Sequence, residues 1–329
     1  MTRSEIILID SKMTANMFTI RNYCPQDFDS YVRLHIETEE LDRSGRYIST
    51  QRLSEDLAQP NFAPQENVFV AESNGSLVGF AGLHLEPDTG RALLNGLIHP
   101  MHRRKGAASK LFACARQRAA EAGSTVLQIN IPQTNQAAKK TMEHLGLRYI
   151  RVFFELQLDP DNFQLTTINP GKYINRSLLR GQEDRLTALQ NRCFAGSWGF
   201  NPNTAAEIVY WLNMSGCSPD DVIMVYYQDM PAGYCWTRLD PAKDKTGANN
   251  KGLIHMLGVD PEFRNQGIGS IALAAGISYL KGKGVKTVML TVDSRNPAAL
   301  ALYETAGFSL YSKTEWYELK LAGRDAGKL

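Results

Sequence analysis

The chain has 329 residues, 43% of them apolar, with 36 basic and 34 acidic side chains for a net charge of +2. That length suffices for two ordinary domains, and the charge balance excludes the broad basic surface of a general nucleic-acid or membrane-surface binder. No apolar run reaches the ~18 residues that a membrane span needs, and residues 1–16, with only a short IILI run, read as a loose lead-in and not a signal peptide.

In chain order, MFTIRNY predicts a short strand and residues 27–39 a helix. VFVAE and LVGFAGLHLE flank Asn74-Gly75, the signature of a tight hairpin. ALLNGLI is a third strand, ending at an arginine-rich turn. A helix then runs over residues 107–122 and stops at Gly123. TVLQINI predicts a strand, residues 136–145 a helix, and RYIRVFFELQL a closing strand. The segment DPDNFQLTTINPGK, rich in Pro, Asn and Thr, reads as a linker. Beyond it the same course resumes. INRSLLR is a strand, RLTALQNRCF and residues 205–214 are helices, and VIMVYYQ and AGYCWTRL form a strand pair. Residues 240–252 predict an exposed hairpin loop. LIHMLGV follows, then a turn, a helix to about residue 280, the strand KTVMLTV, a helix over residues 297–305 and the strand TEWYELKL.

The two courses are copies. IHPMHRRKGAASKLF, from Ile98, aligns with VDPEFRNQGIGSIAL, from Val259, at an offset of 161. Pro100 meets Pro261, Arg103 meets Arg264, Gly106 meets Gly267 and Ser109 meets Ser270. Asn135 meets Asn296 and Gly146 meets Gly307 at the same offset, and FELQL (154–158) meets YELKL (317–321) at 163. Such spacing marks an internal repeat, with a first domain over residues 1–160 and a second over 171–329.

The turn between strand and helix carries chemistry in each copy. A helix's first turn has N–H groups without partners and a dipole that favours negative charge. Glycine lets an anion approach those donors, and arginine adds a fork suited to phosphate. An ordinary tight turn with a solvated arginine is the competing reading. GIGSIA also fits the G-x-G-x-x-A of a dinucleotide-binding turn, with Asp293 ending the next strand. Against that, DPEFRN separates the strand from the glycines, the first copy reads RRKGAAS without GxG, and too little chain follows for a doubly wound sheet.

R-x-x-G-x-G (Arg264, Gly267, Gly269) after VDP, followed by NPAALALYETAGF, resembles the GCN5-related N-acetyltransferases (GNAT). In the first copy R-x-x-G-x-A (Arg103, Gly106, Ala108) stands in. Two such domains resemble the tandem acetyltransferases, of which mycothiol synthase is one kind; the likeness is one of architecture. It implies an α/β fold of two tandem acyl-CoA N-acyltransferase domains, each a mixed, mostly antiparallel sheet flanked by helices. Acetyl-coenzyme A is then the co-substrate, with no metal. The resemblance places its pantetheine arm along Leu257, Gly258 and Val259. Its pyrophosphate falls on Arg264, Asn265, Gln266, Gly267, Ile268, Gly269 and Ser270, with Asn296 near the arm. In the first copy the matching residues are Ile98, Arg103, Arg104, Gly106, Ala108, Ser109 and Asn135.

The resemblance also makes Tyr303 the candidate acid for the departing thiolate, though it can equally be a packing aromatic. Seven residues after Asn296, it lies two turns along the same helix face. The matching residue of the first copy is Met142, which has no proton to give. The second domain is therefore expected to be catalytic; the first either keeps coenzyme binding without chemistry or serves as scaffold. His255 is a candidate base or an ordinary strand histidine, and Glu315 and Glu318 are weaker candidates. Trp198 and Phe200, between Gly196, Gly199 and neighbouring polar residues, form either a wall for the acceptor or packing aromatics.

Five scattered cysteines without a CxxC fit reduced thiols in a cytoplasm, and six histidines without HExxH give no metal site. The expected activity is acetyl transfer to a primary amine of a small molecule or peptide, with no nucleic-acid or membrane partner. A tRNA- or ribosome-directed enzyme is disfavoured by the charge balance. An acyl-CoA-binding regulatory protein without turnover is the alternative from another class.

Overall fold

A computed structural model of the protein describes residues 18–43, 48–164, 171–240 and 250–321. The expected lead-in, the middle of the expected linker and most of the 240–252 loop lie outside the described residues. The first half comprises β1 (Thr19–Asn22), α1 (Phe28–Asp42), α2 (Thr50–Leu57), α3 (Pro64–Asn67), β2 (Val68–Ser73), β3 (Ser76–Glu86), β4 (Arg91–Ile98), α4 (Ala107–Glu121), β5 (Val126–Pro132), α5 (Gln136–His144) and β6 (Arg148–Leu158). The second comprises β7 (Tyr173–Ser177), α6 (Glu183–Phe194), α7 (Ala205–Leu212), β8 (Val222–Tyr227), β9 (Met230–Leu239), β10 (Lys251–Val259), α8 (Ile268–Gly282), β11 (Thr287–Asp293), α9 (Pro297–Thr305) and β12 (Ser309–Lys320). The hairpin between β2 and β3 turns where expected, with Asn74 and Gly75 both at positive φ. Helices α2 and α3 are additional to the elements that the sequence predicts.

By their contacts, the residues form two units. The first holds Met1–Leu53, Asn61–Ile129 and Glu318–Leu329; the second holds Ser54–Pro60 and Asn130–Tyr317. In the first, the strand order is β1-β2-β3-β4-β5. Pairing is antiparallel up to β4, and β4 and β5 are parallel over residues 91–93 and 126–128. The last residues of β12 lie beside the start of β5, where Leu321 N–H donates to the Thr125 carbonyl at 2.8 Å. Leu34, Val70, Leu83, Leu111, Ala115 and Leu127 are buried in this unit.

In the second unit the order is β12-β6-β11-β10-β9-β8-β7. A core on one face joins Ile254, Ile271, Leu273, Ile277 and Val288 with Tyr303. A second core, under α6 and α7, contains Leu186, Leu189, Ile208, Tyr226, Tyr234 and Trp236.

The compact units and the sequence repeats divide the chain differently. Strand β6 closes the first repeat in sequence, yet it pairs antiparallel with β11 of the second, from Leu158 opposite Val288 to Phe153 opposite Asp293. Its Leu156 and Leu158 are buried in the second unit's core. The physical reason is that FELQL and YELKL carry the same alternation, so each strand fits the same kind of slot. Pattern alone does not say which copy's sheet a strand joins.

Candidate active site

Both turns after the central strands have the same backbone. From β10 the chain passes Pro261–Phe263, a single 3-10 turn, then Arg264 (φ −64°, ψ 158°), Asn265 at φ 59° and Gly267 at φ 78° before α8 begins. From β4 it passes Pro100–His102, Arg103 (φ −70°, ψ 158°), Arg104 at φ 59° and Gly106 at φ 89° before α4. Neither helix has a side-chain cap, so their first-turn N–H groups remain for another acceptor. Gly267 is required for its left-handed φ; a Cβ there would point into open space. Gly269 is different. A Cβ there would touch Leu302 at 3.4 Å, an ordinary contact, which fits Ala108 at the matching place. Ile268 faces the core and offers the turn only its backbone.

The arginines have protein partners. Arg264 donates to the Cys193 carbonyl, near the end of α6, at 2.8 Å. Arg103 donates to the Ile98 carbonyl at 3.0 Å and pairs through both terminal nitrogens with Asp42, the last residue of α1. Gln266 accepts from the Tyr173 hydroxyl at 2.8 Å. The open backbone donors are thus what the two turns share, and each arginine ties its turn to the helix before it.

Beside this turn the sheet opens. The parallel ladder between β10 and β11 runs over residues 251–254 and 287–290 and ends there. On its other edge β10 continues to pair with β9, Val259 opposite Gly233. Leu257, Gly258 and Val259 therefore lie beyond the end of the β11 ladder, where an extended arm can pair with main chain. At the start of that opening the β9–β10 register shifts between Ile254 and Met256. The extra residue is His255. A bulge re-aims its side chain, and the exposed imidazole meets Trp236 edge-on with ring centroids 5.3 Å apart. Gly258 carries α6 at close range: a Cβ there would lie 2.9 Å from Cys193 Cβ and 3.0 Å from its sulfur. Burial pushes the Cys193 thiol up to about 12, so it stays neutral.

Asn296 and Asn135 hold identical posts: each side chain caps its helix, accepting from Ala299 N–H and Ala138 N–H at 3.1 Å. Tyr303 is 7% exposed and lies edge-on to Phe308. Burial, with a small contribution from Cys235, raises its phenol well above the ordinary value. It keeps its proton at neutral pH.

Trp198 stacks beneath the Arg151 guanidinium at 4.7 Å and contacts Phe153 and Trp316, with centroids 5.8 and 5.4 Å away. Arg151 is also paired with Asp293 at the end of β11. Phe200 stacks on Phe194 instead, so the two candidate wall residues are in different clusters. Arg151 and Phe153 belong to β6, so sequence order alone gave no sign of them here. Glu315 is engaged by Lys139 at 2.8 Å and by the Tyr317 hydroxyl at 3.0 Å. Burial raises its carboxyl, and these hydrogen bonds outweigh that to lower it. Glu318 accepts from Gln128 at 2.7 Å. Both carboxylates are structural partners. Among the described residues no cluster of three or more His, Cys, Asp or Glu is placed to hold a metal, and no helix is long and apolar enough to cross a membrane.

Residues 33–147 and 183–308 each match the acetyltransferase (GNAT) family. The chain belongs to that family. It is a tandem GNAT N-acetyltransferase, and the family's acetyl donor is acetyl-coenzyme A. It is 28% identical over 267 residues to the mycothiol acetyltransferase of Stackebrandtia nassauensis, covering 78% of this chain and 84% of that one. To the mycothiol acetyltransferase of Salinispora tropica it is 28% identical over 273 residues, covering 78% and 82%. Among solved structures, a tandem GNAT protein from the clavulanic acid biosynthesis pathway matches with a TM-score of 0.69 at 18% identity, over 94% of this chain and all of that one. A GCN5-related N-acetyltransferase from Sphaerobacter thermophilus matches at 0.68 and 20% identity, over 95% and 99%. These likenesses support the two-domain GNAT fold. Within it, the second repeat has both the glycine pair and the buried tyrosine, whereas the first has Ala108 and Met142.

Proposed function

We propose that this acetyltransferase moves the acetyl group of acetyl-coenzyme A to a primary amine of a small molecule or peptide by direct attack, with the chemistry in the second repeat. The observation that carries the proposal is Tyr303, a buried, protonated phenol on the helix capped by Asn296. The pyrophosphate is held by the backbone of residues 264–270 at the start of α8, and the pantetheine arm pairs along residues 257–259. The neutral amine attacks the thioester carbon, forming C–N. Backbone N–H from the free edge of β10 stabilises the oxyanion. As C–S breaks, the Tyr303 hydroxyl gives its proton to the sulfur. His255, turned out by the bulge, takes the proton that the amine loses, directly or through water. Trp198, with Phe153 and Trp316, forms the acceptor's wall. The first repeat keeps a coenzyme loop in residues 98–109 but has Met142 in place of a donor, and serves binding or support.

The relatives' name makes the amine precursor of mycothiol the first acceptor to try. With acetyl-coenzyme A and a panel of primary amines including that one, the full chain is expected to release free coenzyme thiol in the presence of an accepted amine. Tight coenzyme binding without release over the whole panel overturns the proposal in favour of an acyl-CoA-binding regulator.

A further inference from the structure

The coenzyme loop is tied at two points to consecutive residues at the end of α6. Asp260 is 4% exposed. One of its carboxylate oxygens accepts from Glu262 N–H at 3.1 Å, capping the turn; the other accepts from Arg192 Nε at 2.7 Å. Four residues on, Arg264 donates to the carbonyl of Cys193, the neighbour of Arg192. Between these ties the backbone passes through Asn265 at φ 59° and on to Gly267 at φ 78°, with no side-chain cap on α8. A turn of this shape holds one geometry only when its surroundings fix it.

The first repeat has a matching pair of ties with donor and acceptor exchanged. His99 fills the place of Asp260: its Nδ1 accepts from Met101 N–H at 3.3 Å, and its Nε2 lies 3.6 Å from Glu37 Oε2. Glu37 stands nine residues after the first residue of α1, as Arg192 does in α6. Helix and loop have exchanged donor and acceptor, yet cap and pair survive: with Nδ1 accepting, the Nε2–H of His99 is left to face the Glu37 carboxylate. Arg103 likewise reaches the end of α1, through Asp42. What both repeats preserve is a donor–acceptor contact between loop and helix end, whichever side donates. A solvated pair has no reason to keep its place while exchanging donor and acceptor. Arg192 is half exposed, and fully exposed pairs contribute little; Asp260 is not exposed, and a buried carboxylate left without its partner is costly.

We infer that Arg192 and Asp260 are positioning residues that hold the coenzyme loop of the second repeat in its anion-binding shape by latching it to α6. The inference rests on the proposed role of residues 264–270 and deepens it. It also links the loop to the acceptor side, because α6 leads directly into residues 195–200, which carry Trp198 and Phe200.

The test transplants the first repeat's pair into the second. Three full-length variants are compared with the parent: Arg192→Glu, Asp260→His, and the two combined. Hydrogen exchange of residues 260–270 without ligand reads the latch directly, and calorimetry with acetyl-coenzyme A reads its consequence. Each single change is expected to speed exchange in the loop and to weaken coenzyme binding at the second site by roughly tenfold or more. The combined variant is expected to return both towards the parent. Asp260→Asn, which keeps the capping oxygen and removes the charge, guards against misfolding and is expected to fall between. Parent-like exchange in folded single variants overturns the latch, as does a folded double variant no better than either single one. Failure of the parent to bind acetyl-coenzyme A would instead strike at the proposed function, while the exchange data still decide the latch.

Discussion

Tyr303→Phe is expected to lower kcat by about 10²–10⁴-fold, the usual cost of losing a general acid. The change keeps the ring that packs edge-on to Phe308 in the core, so the fold and the coenzyme loop stay as they are. Acetyl-coenzyme A affinity should remain within about threefold, which separates loss of a transition-state interaction from loss of binding. The raised phenol adds a pH signature. Because burial holds Tyr303 protonated above the ordinary tyrosine range, the parent should keep its acid through neutral and mildly alkaline pH, and any rate limb there belongs to the amine or its base. Met142→Leu, at the matching place in the first repeat, is expected to leave kcat almost unchanged. The pair is read as thiol release with one accepted amine. A silent Tyr303→Phe beside an inactive Met142→Leu would move the chemistry to the first repeat.

A fragment of residues 171–329 is expected not to fold stably, although it contains the whole second repeat. It lacks β6, which pairs along β11 and buries Leu156 and Leu158. It also loses Phe153 and Arg151 from beside Trp198, and leaves Asp293 without Arg151. Truncating one buried leucine costs roughly 2–5 kcal/mol, and a whole domain has only about 5–15 kcal/mol in hand. Two such leucines and a strand ladder together are comparable with that whole reserve. A fragment beginning at residue 130 keeps the second unit's own strand and is expected to melt cooperatively. Circular dichroism of both fragments checks this; a cooperative melt of the 171–329 fragment at the parent's temperature would show that β6 is dispensable.

The elements and the repeat were legible because periodicity, turn residues and spacing are local properties. The asparagine–glycine hairpin and the arginine turns sit where the pattern puts them; Asn135 and Asn296, expected near the coenzyme, cap their helices. Two features were not legible. Strand exchange leaves no mark, because FELQL and YELKL are near-equivalent strands. Placing Trp198 against Phe153 depends on that exchange, so their contact could not be read from the second repeat. The roles of the arginines were half legible. Their spacing from the glycines marks the loop, but their partners Cys193 and Asp42 lie on helices distant in sequence. Asp260 before Pro261 is a readable capping signal; its second bond, to Arg192, is not.

The central claim is that the second loop feeds the chemistry and the first does not. Gly267→Asp and Gly106→Asp test it as a matched pair in the full chain. Each places a side chain at a left-handed φ, 78° and 89°, and a negative charge where a phosphate is to sit. Steady-state thiol release with acetyl-coenzyme A and an accepted amine should collapse in Gly267→Asp and stay close to the parent in Gly106→Asp. Collapse in Gly106→Asp with activity intact in Gly267→Asp would contradict the account.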